Sequence, residues 1–354
     1  QFLERFSDYH HDLVRNGFAP IQQRGDGAKV FSRREAALMT ERFTKAGFLG
    51  RRVSQYLHEH DRSRPFFISV NFLEPHMPFY GPLNDLHDPT AIPVGPAFAT
   101  PPGDDASLRN QIIGAQYRQI GADGIALDSE AGWRRLRANY LGLVSLVDRS
   151  VGMILDALDA AGLADDTIVV YTSDHGDMMG DHAQVAKCVM YEQATRIPLL
   201  MRVPWLGRDH TPVPGRVSQV DLVPTLLDLL GQPQPDHLQG DSRADVLRGD
   251  ATLADNDIVV EWNGREGARA HVEGFTDEQI EQVRGQVWRC LITADGWKLN
   301  QCATDRCELF DLNSDPHELV NRIDDPAIAS RLADMRSRLR AWQRRTGDDA
   351  AIGL

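Results

Sequence analysis

No run in the 354-residue chain approaches the ~18 consecutive apolar residues that a membrane-spanning helix requires, so no membrane span is expected. The opening Gln1-Phe2-Leu3-Glu4-Arg5 has no positively charged start leading into an apolar core, which excludes a secretory signal at that point. An initiator Met is also lacking. The chain is therefore expected to begin partway through a longer gene product. Cysteine is scarce, with four residues at Cys188, Cys290, Cys302 and Cys307, and their spacing matches no zinc pattern. Cys302 and Cys307 are close enough to pair in an oxidising compartment, but such low cysteine content favours free thiols. The compartment stays open between cytoplasm and periplasm or exterior. Positive charge is in deficit, at 38 Lys and Arg against 51 Asp and Glu. The resulting net charge of −13 argues against a nucleic-acid or anionic-membrane partner. An anionic substrate would need a local cation, from a metal, lysine or arginine.

The length suits one large domain and a smaller one, and 42% apolar with 25% charged residues is ordinary for a globular chain. Ser32 is placed to cap a helix over Arg33 to His60 with a partly apolar face. Phe66-Phe67-Ile68-Ser69-Val70-Asn71-Phe72 reads as a buried strand, ended by the prolines of Glu74-Pro75-His76-Met77-Pro78. Tyr80 to about Ser129 is rich in Pro, Gly and Asp and reads as a long loop with one short helix near Leu108. From Glu130 to Ala161, Leu136, Tyr140, Leu143, Val147, Val151, Ile154 and Leu158 recur at helical steps, and Gly162 supplies a stop. Thr167 to Tyr171 and Ile197 to Val203 read as buried strands without alternation. Gln219 to Leu230 reads as a helix ending at Gly231. Ile258–Trp262, Val287–Thr293, Trp297–Asn300 and Glu308–Leu312 read as short antiparallel strands. A last helix from Pro326 to about Arg345 places Leu332, Met335, Leu339 and Trp342 on one side, with its arginines in solvent. The expected fold is α/β. A mostly parallel, mixed central sheet flanked by helices spans 1–250, and a small antiparallel-sheet-plus-helix subdomain spans 251–354.

The strongest chemical signal is Thr172-Ser173-Asp174-His175-Gly176-Asp177, directly after a strand. Ligands in open α/β sheets bind outside the carboxyl ends of strands. A carboxylate beside an imidazole suits a divalent cation, so Asp174 and His175 are candidate metal ligands. A polar turn with His175 bonded to a neighbour is the structural alternative. His76 ends another expected strand and titrates near neutrality. Lys187, thirteen residues after Asp174, could bind an oxyanion or help a departing oxygen.

With these residues in view, the chain resembles the sulfatases of the alkaline phosphatase superfamily. The Phe66–Phe72 run leading to Pro75-His76-Met77-Pro78-Phe79 is similar to the sulfatase strand that ends in Pro-His-x-Pro-Phe. Val147-Asp148-Arg149-Ser150-Val151-Gly152 and Thr172 to His182 are similar to the family's helix and metal loop. Lys187, Tyr191-Glu192, Arg196-Ile197-Pro198-Leu199, Asp221 to Leu227, Glu308 to Leu312 and Asp315-Pro316-His317-Glu318 continue in the family's order.

The resemblance implies hydrolysis of a small-molecule or carbohydrate sulfate monoester by a formylglycine nucleophile. It also implies a divalent cation, calcium ahead of manganese or magnesium, with Asp174 and His175 as ligands and His76 and Lys187 at the leaving oxygen. The sequence departs from the family in two elements. The two adjacent aspartates of the first strand are absent, and so is the Cys/Ser-x-Pro-x-Arg motif from which formylglycine forms. The nucleophile is thus expected outside this chain, which alone should not turn over a sulfate ester. Phosphonate-monoester or phosphodiester hydrolysis on the same scaffold is the alternative chemistry. A non-catalytic relative acting as a binding module is the alternative from another class.

Overall fold

The computed structural model describes residues 7–19, 39–207, 210–264 and 271–354. In chain order their helices are α1 (Asp8–Arg15), α2 (Lys45–Glu59), α3 (Leu108–Ile120), α4 (Glu130–Ala160), α5 (Glu192–Thr195), α6 (Leu222–Leu229), α7 (Ala244–Arg248), α8 (Asp277–Val283) and α9 (Ala329–Thr346). The strands are β1 (Val169–Thr172), β2 (Leu199–Arg202), β3 (Ile258–Trp262), β4 (Trp288–Ile292), β5 (Trp297–Gln301) and β6 (Glu308–Asp311). The class is mixed α/β, with the expected antiparallel sheet and helix at the C-terminal end. Among the described residues no helix is long and apolar enough to cross a membrane. The cysteines are free thiols. The chain packs as two compact units, one of residues up to Pro93 with Gly121–Thr167, the other of Val94–Ile120 with Ile168–Leu354.

The first unit is organised by α2 against α4. The 31 residues of α4 start at Ser129, whose hydroxyl accepts the Gly132 amide at 3.4 Å. Its apolar stripe packs Leu143, Leu146 and Val147 against Ala46 of α2, with Phe72 and Leu83 alongside. The helices approach closely where Gly50 faces Ser150, since a Cβ there would lie 3.3 Å from the Ser150 Cβ. At its C-terminus Gly162 takes φ 65°. Its amide donates to Asp159 and that of Leu163 to Leu158, the paired bonds that close a helix through a left-handed glycine.

Two expectations in this unit change. The helix expected from Arg33 begins at Lys45, where the Thr44 hydroxyl accepts the Gly47 amide at 3.1 Å. A 3₁₀ turn, Glu41–Phe43, precedes it, and residues 33–38 lie outside the described residues. The Phe66–Phe72 run is extended and its burial alternates, but it joins no ladder among the described residues. Phe67 is 86% exposed. β-forming composition supplies an extended backbone, whereas a strand also needs a neighbour for its amides and carbonyls.

In the second unit β1 and β2 form an antiparallel pair, Val170 opposite Met201 and Tyr171 opposite Leu200. The parallel pairing expected from their unalternating sequences is not among the ladders of the described residues. β3 to β6 form an antiparallel meander, Val260 opposite Cys290 and Leu291 opposite Leu299. One face of it packs Leu291, Leu299 and Leu309 against Met335 and Leu339 of α9. The other face brings Trp288, Cys290, Ile292 and Phe310 onto Met178, Val189, Met190 and Tyr191. The meander therefore backs the segment that follows β1. The α9 arginines are partly used within the fold, since Arg331 pairs with Asp295 and Arg338 with Asp257.

The short helix expected near Leu108, within the long loop after Tyr80, is the 13-residue α3. Its first amides are satisfied by residues distant in sequence, Asp305 accepting from Leu108 at 2.8 Å and Arg109 at 3.0 Å. Glu308 accepts the Ser107 amide at 2.9 Å. Carboxylates at a helix N-terminus satisfy orphan amides and complement the helix dipole.

Candidate active site

Asp174 and His175 leave the C-terminal end of β1. The Asp174 carboxylate projects into solvent, and its Oδ1 accepts the His175 amide at 2.9 Å. Its Oδ2 stands 3.4 Å from Nε2 of His175, so an oxygen and a ring nitrogen converge on one point. The imidazole is oriented at its other nitrogen, Nδ1, which lies 2.8 Å from the Gly176 carbonyl oxygen. The turn itself is held by Ser173, whose hydroxyl donates to the His175 carbonyl at 2.8 Å, and by Gln219, which donates to the Ser173 carbonyl at 2.7 Å. Gly176 donates to the Ala194 carbonyl at 2.8 Å. A Cβ at Gly176 would stand 2.0 Å from the Gln193 carbonyl oxygen, so this approach needs glycine.

The donor chemistry, one carboxylate and one imidazole with its second nitrogen engaged, fits a divalent cation. No third His, Cys, Asp or Glu joins them among the described residues.

Asp177 connects this pair to Lys187. Its Oδ1 accepts the amides of Ala186 at 2.8 Å and Met179 at 3.3 Å, closing the loop that leads to Lys187. Burial raises its carboxyl to about 6, against those two amides and against the charges of Lys187 and His175, which pull it down. Asp177 has no expected role from sequence, although it ends the motif that contains Asp174 and His175.

The segment that carries Lys187 is tied down on both sides. Met178 donates to the Ala186 carbonyl and Gly180 to that of Gln184, while Ala99 pairs with Gly180 and His182 with Ala97. His182 stacks on Tyr191, ring centroids 3.8 Å apart and 5° from parallel, and its Nε2 lies 3.0 Å from the His317 carbonyl oxygen. Glu192 opens α5, and its amide donates to Glu318 at 2.6 Å. Lys298, wholly buried, lies 2.8 Å from Glu318 and 3.0 Å from Glu192. Burial pushes the Glu318 carboxyl up to about 7, and the Lys298 ammonium opposes that rise. No sequence signal marked Lys298, Glu318 or His182 as this brace.

His76 belongs to the first unit. Its amide donates to the Leu73 carbonyl at 3.0 Å, and its Nδ1 lies 3.0 Å from the Met77 carbonyl oxygen. The Glu74–Pro75 and Met77–Pro78 peptide bonds are cis. Burial raises the pKa of the neighbouring Glu74 carboxyl.

The sulfatase family model matches residues 5–232. The chain belongs to the sulfatase family. A second model, that of the N-sulphoglucosamine sulphohydrolase C-terminal region, matches residues 180–345. The multifunctional alkaline phosphatase superfamily protein PehA of Trinickia caryophylli is 28% identical, over 97% of this chain and 69% of its own length. The N-acetylglucosamine-6-O-sulfatase of Bacteroides thetaiotaomicron is 30% identical, over 66% of this chain and 40% of its own length. The structure of the phosphonate monoester hydrolase SpPMH from Silicibacter pomeroyi superimposes with a TM-score of 0.74 at 25% identity. That match covers 97% of this chain and 69% of the other. The chain thus spans between two fifths and seven tenths of these relatives' lengths.

Proposed function

We propose that the protein hydrolyses a sulfate monoester, with Asp174 and His175 holding a divalent cation and His76 and Lys187 serving the leaving oxygen. The observation that carries this reading is the convergence of Asp174 Oδ2 and His175 Nε2 at the end of β1, within a chain of the sulfatase family. When bound, the cation, with calcium preferred, neutralises charge on the sulfate oxygens. The chain's own residues place the anion and serve the leaving oxygen. Asp174 and His175 fix where the anion sits, because their turn is locked by Ser173, Gln219 and Gly176. Lys187 presents an ammonium to the oxygen that gains charge as the sulfur–oxygen bond breaks, and His76 delivers a proton to it. Fixed cations lower the barrier most where charge develops. The nucleophile of this reading is a formylglycine, and no Cys/Ser-x-Pro-x-Arg motif occurs in these residues to form one. A carbohydrate sulfate is the favoured substrate class, supported by the relative named for N-acetylglucosamine 6-O-sulfate.

The similarity to a phosphonate monoester hydrolase gives a second chemistry for the same site. Rates of the full-length gene product on matched aryl sulfate and aryl phosphonate esters separate the two. The sulfate reading expects kcat/KM to favour the sulfate, and a large preference for phosphonate would replace it.

A further inference from the structure

Both neighbours of Lys187 have a backbone that L-residues rarely adopt, Ala186 at φ 66° and Cys188 at φ 83°. Such a conformation persists only where its surroundings enforce it. A charged side chain enforces it on each side. The Asp177 carboxylate accepts the Ala186 amide at 2.8 Å. From α3, the Arg109 guanidinium donates twice to the Cys188 carbonyl oxygen, through Nε at 3.1 Å and Nη2 at 2.9 Å. Arg109 is 3% exposed, too enclosed to meet a ligand arriving from solvent. Its plane is fixed by a third bond, Nη1 to the Val283 carbonyl at 3.1 Å, and by the Trp262 ring, 5.2 Å from Cζ. The same helix turn holds the loop again through Gln184, which donates to the Asn110 carbonyl at 3.1 Å, and through Ile113 packed on Met178 and Val189.

We propose that Arg109 is a positioning residue for Lys187. By gripping the carbonyl of the next residue from a rigid helix, it fixes the direction in which the Lys187 side chain leaves the loop. The inference deepens the reading of Lys187 as a leaving-group residue and rests on it. Charge-assisted bonds to a main-chain oxygen suit this task, because they hold backbone whatever the side chain beside it.

Two experiments test it. The first uses the four lysines of the chain, 29, 45, 187 and 298, whose amines can carry carbon-13 methyl groups for NMR. The Lys187 resonance is assigned by its loss in Lys187→Arg. In Arg109→Gln it should move toward the free-lysine position while that of Lys45 stays in place. An unmoved Lys187 resonance in the folded variant overturns the proposal.

The second is a double-mutant cycle in the full-length gene product, read on aryl sulfates of graded phenol acidity. Arg109→Lys, which keeps the charge but not the fork, should slow the poorest leaving group by about ten- to a hundredfold and the best far less. It should cost nothing further once Lys187 is alanine. Losses that add, or that fall equally on all phenols, overturn the proposal. If Lys187→Ala leaves turnover unchanged while its resonance still responds to Arg109, the leaving-group reading fails and the positioning stands.

Discussion

The Gly176 amide reaches the Ala194 carbonyl across 2.8 Å, and this contact joins the Asp174–His175 turn to α5. A methyl group at Gly176 would meet the Gln193 carbonyl oxygen at 2.0 Å and its carbon at 3.0 Å. Backbone cannot swing aside as a flexible side chain can. Gly176→Ala is therefore expected to destabilise the fold by about 1–3 kcal/mol, the range for overpacking a tight contact. Denaturant unfolding checks it, and a midpoint equal to that of the parent would show that the two segments separate freely.

How much of this was legible in the sequence depends on where each element finds its partners. α4, α6 and α9 carry their own apolar periodicity. Gly162 and Gly231 close helices as local chemistry requires, both at left-handed φ. The Asp174–His175 pair was legible because a short apolar strand followed by a polar turn with glycine is a local pattern. α3 was legible only as a short helix near Leu108, and its caps were not, since the carboxylates Asp305 and Glu308 lie about 200 residues downstream. Arg109 was invisible for the same reason, because its meaning lies in carbonyls at Cys188 and Val283. The Phe66–Phe72 run shows the converse, a strand-like composition without a ladder among the described residues.

Lys298 is the cation between Glu192 and Glu318, and both it and Glu318 are out of reach of water. Lys298→Met would leave the buried Glu318 carboxylate without its cation beside the partly buried Glu192, which costs about 3–5 kcal/mol. Adding Glu318→Gln should restore part of that loss. Thermal or denaturant unfolding of the single and double variants measures both. Full stability in Lys298→Met would remove the ion cluster from the account of what braces α5.

His182 gives a pH dependence with a definite sign. Burial pushes its imidazole down to about 4, opposed by the His317 carbonyl. In the unfolded chain it titrates near 6.5. Acid therefore favours the unfolded state, which takes up the proton first. The stability that His182 contributes is present above about pH 6.5 and is lost as pH falls toward 4. The shift corresponds to at most about 3 kcal/mol at 1.36 kcal/mol per unit. His182→Asn, which tolerates the positive φ of this position, should lose stability relative to the parent at pH 7 and regain most of the difference by pH 4. Parallel stability curves for the two proteins would contradict the buried neutral imidazole.

The most direct test of the central claim is the metal content of the full-length gene product and its Asp174→Asn variant, measured by elemental analysis after gel filtration. A near-stoichiometric divalent cation is expected in the parent and a marked loss in the variant, while the metal-free forms of the two should melt alike because Asp174 is exposed. An undiminished metal content in Asp174→Asn would show that the carboxylate at the end of β1 is not a ligand.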